Sequence, residues 1–344
     1  MKRAVPEPFS TARIMVRLAG LAAVLAAPLS ARGTDGTDRT DGINYPAEAA
    51  AIGRFQDYDQ RLQDIGWQLV RGNADFCPQV TLSIGLQLQD MASYGRPDIA
   101  RTALGLKGDF AVQTAARGSP AEQAAGFARN REVVQLGRFD PNQWPAGRQM
   151  DWQRVARAHD HVDALLGEHG GIKVTFGDGA SLAVQPVEVC ASRFELMGEG
   201  SAAVADGNRV VIGMDFPAFA YDDGMFASLV AHELAHNLLG HPAWLDRNGR
   251  GSGKVKRTER EADRLIPWLL ANAGYEPGDA MRFMREWGPR HTVKFLRAPT
   301  HDGWAKRLRA IKAEVPLVAE AIKEDGRADW SRRFRREIDP EKGL

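Results

Sequence analysis

Cysteine is nearly absent from this chain: 344 residues hold two, Cys77 and Cys190, which leaves room for one intramolecular disulfide at most. Net charge is nearly absent too. The 45 basic residues offset 44 acidic ones to a formal +1, so no global field draws the chain to nucleic acid or an anionic surface. Beyond the first 31 residues no apolar run is long enough for a membrane span. The length has room for two domains and a sizeable core.

The N-terminus carries Lys2, Arg3, Arg13 and Arg17 ahead of a short apolar stretch ending in small residues around Ala27 and Ala31. That pattern reads as a secretory signal peptide over residues 1–31, with an uncleaved N-terminal anchor as the alternative. No cysteine stands near the expected cleavage site for lipid attachment. The mature chain is therefore expected to be exported, periplasmic or secreted, with no stable membrane span. A Gly-, Thr- and Asp-rich linker fills 32–45. Over 46–76, Phe55, Tyr58, Leu62, Ile65 and Leu69 recur at spacings of three and four, predicting a helix with one apolar stripe that packs on the main domain. At the other end, Arg332, Arg333, Arg335 and Arg336 alternate with acidic neighbours, so 321–344 reads as a charged, solvated tail.

What is present in the middle is more specific. His232-Glu233-Leu234-Ala235-His236 is an HExxH motif inside an apolar, alanine-rich run. On a helix, histidines four apart share a face and can grip one metal ion, while Glu233 is offset toward a water. Downstream, Glu259 and Asp263 stand four apart in a second helical pattern. A catalytic zinc takes three protein ligands and keeps a fourth position open. His232, His236 and Glu259 supply the three, one zinc per chain. Asp263 can then accept a hydrogen bond from the free ring N–H of a ligand histidine. The extended HExxHxxGxxH pattern is absent, since Leu239 and Pro242 occupy its glycine and third-histidine positions. His241 is out of register for a ligand and is expected to stand behind a ligand, to line the cleft or to be simply polar.

HELAH followed by Glu259-Arg260-Glu261-Ala262-Asp263 resembles the gluzincin metallopeptidases of family forty-eight, which include HtpX, BepA and the CAAX prenyl proteases. Ala202-Ala203-Val204-Ala205-Asp206-Gly207 is similar to that family's NAFADG segment. Asp222-Asp223-Gly224-Met225-Phe226-Ala227 is similar to its DDDELA helix opening, and Thr300-His301 with Arg307-Leu308 to its THPS…RL element. The resemblance spans about 191–315. It implies an α+β fold, with a mainly helical zincin-type metalloprotease domain over 191–320 and a small edge β-sheet. It further implies that His301 sits beside the metal, stabilising an oxyanion or blocking the open position, and that Arg307 supports the site. Substrate would lie along Ala202, Ala203, Val204 and Ala205 as an added strand. The family's asparagine is Ala202 here, and its Pro-Ser after the histidine is Asp302-Gly303.

Residues 77–190 have a different character. Phe110-Ala111-Val112-Gln113 followed by Gly118-Ser119-Pro120-Ala121-Glu122-Gln123-Ala124-Ala125-Gly126 resembles the strand, turn and short helix of PDZ domains. A β-rich PDZ-like insert is expected there, against the alternative of a small α+β insertion. Ile84, Gly85 and Leu86 fit the loop that holds a peptide's terminal carboxylate in such domains. A helix including Val155, His159 and Val162 and a hairpin around Gly177-Asp178-Gly179 complete the insert. In an exported protein Cys77 and Cys190 pair more readily than they stay free. A bridge would close the insert's neck, for roughly 4–5 kcal/mol in the chain-entropy account.

Together these features predict a zinc endopeptidase cutting unfolded or extended chains, with Glu233 as general base. The competing expectation is a quality-control or assembly factor that binds protein C-termini through its insert, its zinc site latent. A purely structural metal site is the third reading.

Overall fold

The computed structural model describes residues 42–147, 150–290 and 302–338. The expected signal peptide, most of the linker and His301 lie outside the described residues. The fold is α+β, helices outweighing several small sheets.

The first helix, α1 (Tyr45–Gly72), is capped by the Asn44 side chain, which accepts from Ala47 N–H. The chain then enters β1 (Val80–Ser83), β2 (Leu86–Asp90), α2 (Pro97–Leu104), β3 (Phe110–Ala115), α3 (Pro120–Gln123) and β4 (Val133–Leu136). It continues through α4 (Trp152–His169), β5 (Ile172–Phe176), β6 (Ser181–Val184) and β7 (Val187–Cys190). Strands β2 and β3 pair antiparallel, β4-β5-β6 form a second sheet, and β1 returns to β7. The β1–β7 register sets Val80 opposite Cys190. Just below it Cys77 and Cys190 are disulfide-bonded, with Cα atoms 5.5 Å apart. Both ends of the insert therefore leave through one neck. Its core is its own, built from Leu88, Phe110, Val112, Leu136, Val162, Leu166, Val174 and Phe176.

The remainder holds β8 (Arg193–Met197), β9 (Ala203–Ala205), β10 (Arg209–Gly213), α5 (Asp223–Leu238), α6 (His241–Asn248), α7 (Ser252–Asn272), α8 (Asp279–Arg290), α9 (Trp304–Asp325) and α10 (Trp330–Arg333). Helix α5 runs through the centre of the larger core, enclosed by α1, α7, α8 and the sheet β8-β10-β9. Its apolar sequence follows from that position, because a helix covered on all sides has no polar face to show water. Asp222 caps it, accepting from Met225 N–H at 3.0 Å.

Three expectations need correction. Leu62, Ile65 and Leu69 of the α1 stripe are buried, but Tyr58 is 38% exposed and Phe55 only half-buried. The buried face upstream is largely polar, with Gln56, Asp59 and Gln63 beside Ile52. It meets the insert as well as the helical core, since Gln56 donates to Gln89 and Asn130 while Asp59 accepts from Gln63 and Gln113. Alternation of polar and apolar residues does not tell a solvated polar face from one satisfied by another domain. On the core side α1 approaches β8 so closely at Gly66 that a Cβ would fall 2.4 Å from the Phe194 ring.

The C-terminal segment is not a solvated tail. The boundary expected at residue 320 falls inside α9, and Trp330, Phe334 and Ile338 are buried. These apolar residues are spaced among arginines, of which Arg332, Arg333 and Arg336 meet carboxylates, so net charge concealed a docked chain.

The loop at Ile84, Gly85 and Leu86 is closed. Gly85, at φ 68°, donates its N–H to Ser83 Oγ, and its carbonyl accepts from Ala116 N–H. The Ile84 carbonyl accepts from Ala121 N–H at 2.9 Å. Ser119 sits so near that a Cβ on Gly85 would meet it at 2.3 Å. Helix α3 thus covers the loop. Helix α4 lies along the outer side of β2, where His159 Nε2 accepts from Leu88 N–H.

Candidate metal centre

The HExxH spacing places His232 and His236 one turn apart on α5, and α7 crosses beside them. Their Nε2 atoms stand 3.3 Å apart. Glu259 reaches in from α7, its carboxylate 3.3 Å from His232 Nε2 and 3.5 Å from His236 Nε2. One ligand atom from each residue lies within 4.8 Å of the others. This largely buried His232-His236-Glu259 group could hold a metal ion, and among the described residues it is the one such trio. Two imidazoles and a carboxylate converging on one point, with the outward nitrogens engaged elsewhere, fit a divalent metal's donor set.

Each histidine is held from behind, and by different means. His232 Nδ1 lies 3.2 Å from Asp263 Oδ1. Asp263 accepts a two-pronged pair of hydrogen bonds from Arg307 of α9, at 2.6 and 2.7 Å. His236 Nδ1 instead meets His241 Nδ1 at 3.1 Å. His241 Nε2 meets Glu261 Oε2 at 3.0 Å, and Arg336 donates to the same oxygen at 3.0 Å. His241, Glu261 and Asp263 are fully buried.

The charges follow these partners. Burial raises the Asp263 carboxyl, but Arg307 and the hydrogen bonds outweigh it and bring it down to about 2. Burial disfavours protonated His232, yet Asp263 and Glu259 override this and lift it to about 10. His236, with burial dominant and two neighbouring histidines, falls to about 3. Burial likewise lowers His241, whereas Glu261 is lowered because His241 and Arg336 outweigh its desolvation.

Glu233 is half-buried on the same helix, and its charge is among those that raise Arg307. Strand β9 is the outer strand of its sheet, with Val204 53% exposed. Gly213 N–H donates to Ala202 O and Asp206 N–H to Arg209 O, with Val204 opposite Val211. The backbone groups of Ala203 and Ala205 therefore point out of the edge that has no strand beside it among the described residues. Asn237, next to His236, ties this strand to the site by accepting from Gly207 N–H at 2.7 Å.

The structure thus brings together His232, Glu233, His236, Glu259, Asp263 and Arg307, with Ala202, Ala203, Val204 and Ala205 alongside. Ile84, Gly85 and Leu86 belong to the insert and take no part. His301 lies outside the described residues. Glu261 and Arg336 were missed. One signal existed: Glu261 is in register with Leu265 and Trp268 on the apolar stripe of α7, where a carboxylate needs a partner. Compared with protein family models, with curated proteins and with solved structures, the chain matches none.

Proposed function

We propose that this chain is a zinc-dependent endopeptidase of the HtpX- and BepA-like kind, acting on unfolded or extended polypeptides outside the cytoplasm. The observation that carries the reading is the convergence of His232, His236 and Glu259 beside Glu233, with a free strand edge next to them. His232, His236 and Glu259 would hold a zinc ion, which would supply Lewis acidity for activating a water and polarising the scissile carbonyl. Glu233 takes the proton from that water and passes it to the leaving amine. Asp263 and Arg307 keep the His232 ring turned so that Nε2 faces the metal. The substrate backbone adds to β9 through Ala203 and Ala205, which favours extended chains over particular side chains. The basic, apolar N-terminus supports export to the periplasm. In the insert, the sequence of strand, short helix, long helix and hairpin supports a PDZ-like ancestry, with the Gly85 N–H of its loop already taken by Ser83.

Casein digestion by the zinc-loaded chain, beside Glu233→Gln at equal zinc content, tests this. Cleavage by the unaltered chain, lowered about 10²–10⁴-fold in the variant, is expected. Zinc-loaded protein that cuts no unfolded substrate, or equal cutting by both, would overturn it.

A further inference from the structure

We propose that residues 334–338 clamp the candidate metal centre from behind, with Arg336, Glu261 and His241 acting as positioning residues that set metal affinity. The inference rests on the metal-binding part of the reading above and not on peptide hydrolysis.

The tautomers carry the argument. His236 presents Nε2 to the other candidate ligands, and a metal taken up there would leave the ring's one hydrogen on Nδ1. That N–H donates to His241 Nδ1 at 3.1 Å, which obliges His241 to carry its own hydrogen on Nε2. His241 Nε2–H then donates to Glu261 Oε2 at 3.0 Å. The ring plane of His236 is therefore fixed only as firmly as Glu261 is fixed. Glu261 sits two residues from a metal ligand, yet it turns away from the metal, and its own fixing comes from the C-terminal segment. Arg336 donates to Oε2, and the backbone N–H groups of Glu337 and Ile338 donate to Oε1. Arg336 also donates to Leu239 O at the end of α5, so one guanidinium ties the HExxH helix to α7.

The segment is fastened on both sides of Arg336. Phe334 packs under the Arg264 guanidinium, 5.0 Å from it. Ile338 packs with Trp244 and Leu245. Glu337 accepts from Arg260, the neighbour of ligand Glu259, at 2.8 and 2.9 Å. His232 needs no such relay, because Asp263 and Arg307 both reside in helices of the main core. The His236 arm alone closes through the chain's C-terminal segment, about a hundred residues away in sequence.

Metal affinity of the full chain, measured by competition with a chromophoric zinc chelator, reads this directly. Arg336→Gln and Glu261→Gln are each expected to weaken zinc binding about 10–100-fold. Arg336→Lys keeps the charge but loses the fork, and is expected to fall between. Arg333→Gln is the control: Arg333 ends α10, directly before the segment, and pairs with Glu324 and Asp325 on the surface. It should leave affinity unchanged, whereas general loosening of the C-terminus would move both. The visible spectrum of the cobalt-substituted Arg336 variants should shift as the His236 ring turns. Unaltered zinc affinity and cobalt spectrum in Arg336→Lys and Glu261→Gln, with the original chain binding one metal, would overturn the clamp alone. An original chain that binds no metal would overturn the metal reading as well.

Discussion

Asp59 and Asp263 are almost equally buried, at 4% and 0% exposure, and their acidities move in opposite directions. Asp263 faces a guanidinium and falls to about 2. Asp59 lies in the seam between α1 and the insert, where burial raises its carboxyl and the amides of Gln63 and Gln113 only partly compensate. The difference lies in the partner. A neighbouring positive charge can offset the desolvation of a carboxylate, while neutral amides satisfy its geometry but leave most of the solvation cost. The candidate metal centre thus favours the ionised forms of Asp263 and Glu261, which lie behind its two histidines. The seam is a neutral-leaning interface of glutamines, suited to fixing how two cores meet.

Removing the guanidinium should break the contrast most severely. Arg307→Met leaves Asp263 charged and buried, and is expected to destabilise the metal-free protein by about 3–5 kcal/mol in urea unfolding. A loss below about 1 kcal/mol would mean that protonated His232, 3.2 Å away, or water already compensates Asp263.

Proton linkage sharpens it next. His232, raised to about 10 in the fold, stabilises the metal-free protein fully below about pH 6.5, and that contribution is lost as pH rises through 10. Asp263 works the other way, its contribution present above about pH 4 and lost as pH falls through 2. Metal uptake near neutrality must then displace one proton from His232. Zinc affinity should climb up to about tenfold per pH unit, with proton release visible by calorimetry in buffers of different ionisation enthalpy. Affinity flat between about pH 6.5 and 8.5 would contradict the charged state assigned to His232.

The smallest effect is expected in the seam. Because the Asp59 carboxyl is raised, its contribution is present below the ordinary carboxylate range and lost as pH rises. Asp59→Asn removes that loss. The Gln113 Oε1 atom, which has no partner among the described residues, can receive the new amide once Gln113 turns over. Thermal unfolding at pH 7 should show a gain of about 1 kcal/mol. Destabilisation instead would mean that Asp59 is held as an anion.

The heart of the site was legible because its signals are local. A four-residue spacing on a helix brings His232 to His236 and Glu259 to Asp263 whatever the rest of the chain does. The edge position of Ala203, Val204 and Ala205 was legible only by resemblance, since three small residues carry no strong strand signal. The polar face of α1 was read past, as Gln56 and Asp59 look like residues for water. The loop at Ile84 was misjudged because nothing local announces that Ser119 will cover it.

By itself, then, the sequence determined the helix that carries the two histidines, the candidate third ligand Glu259 on a later helix, and the one cysteine pair available to close the insert. Periodicity, ligand spacing and residue counts are properties of a chain segment and survive without its surroundings. Only the tertiary structure decided which carboxylates are charged, which polar face of α1 is buried, and that Arg336 reaches Glu261 behind His236. Those depend on which groups from distant segments share one desolvated space, where a single guanidinium or amide decides whether a buried charge is tolerated.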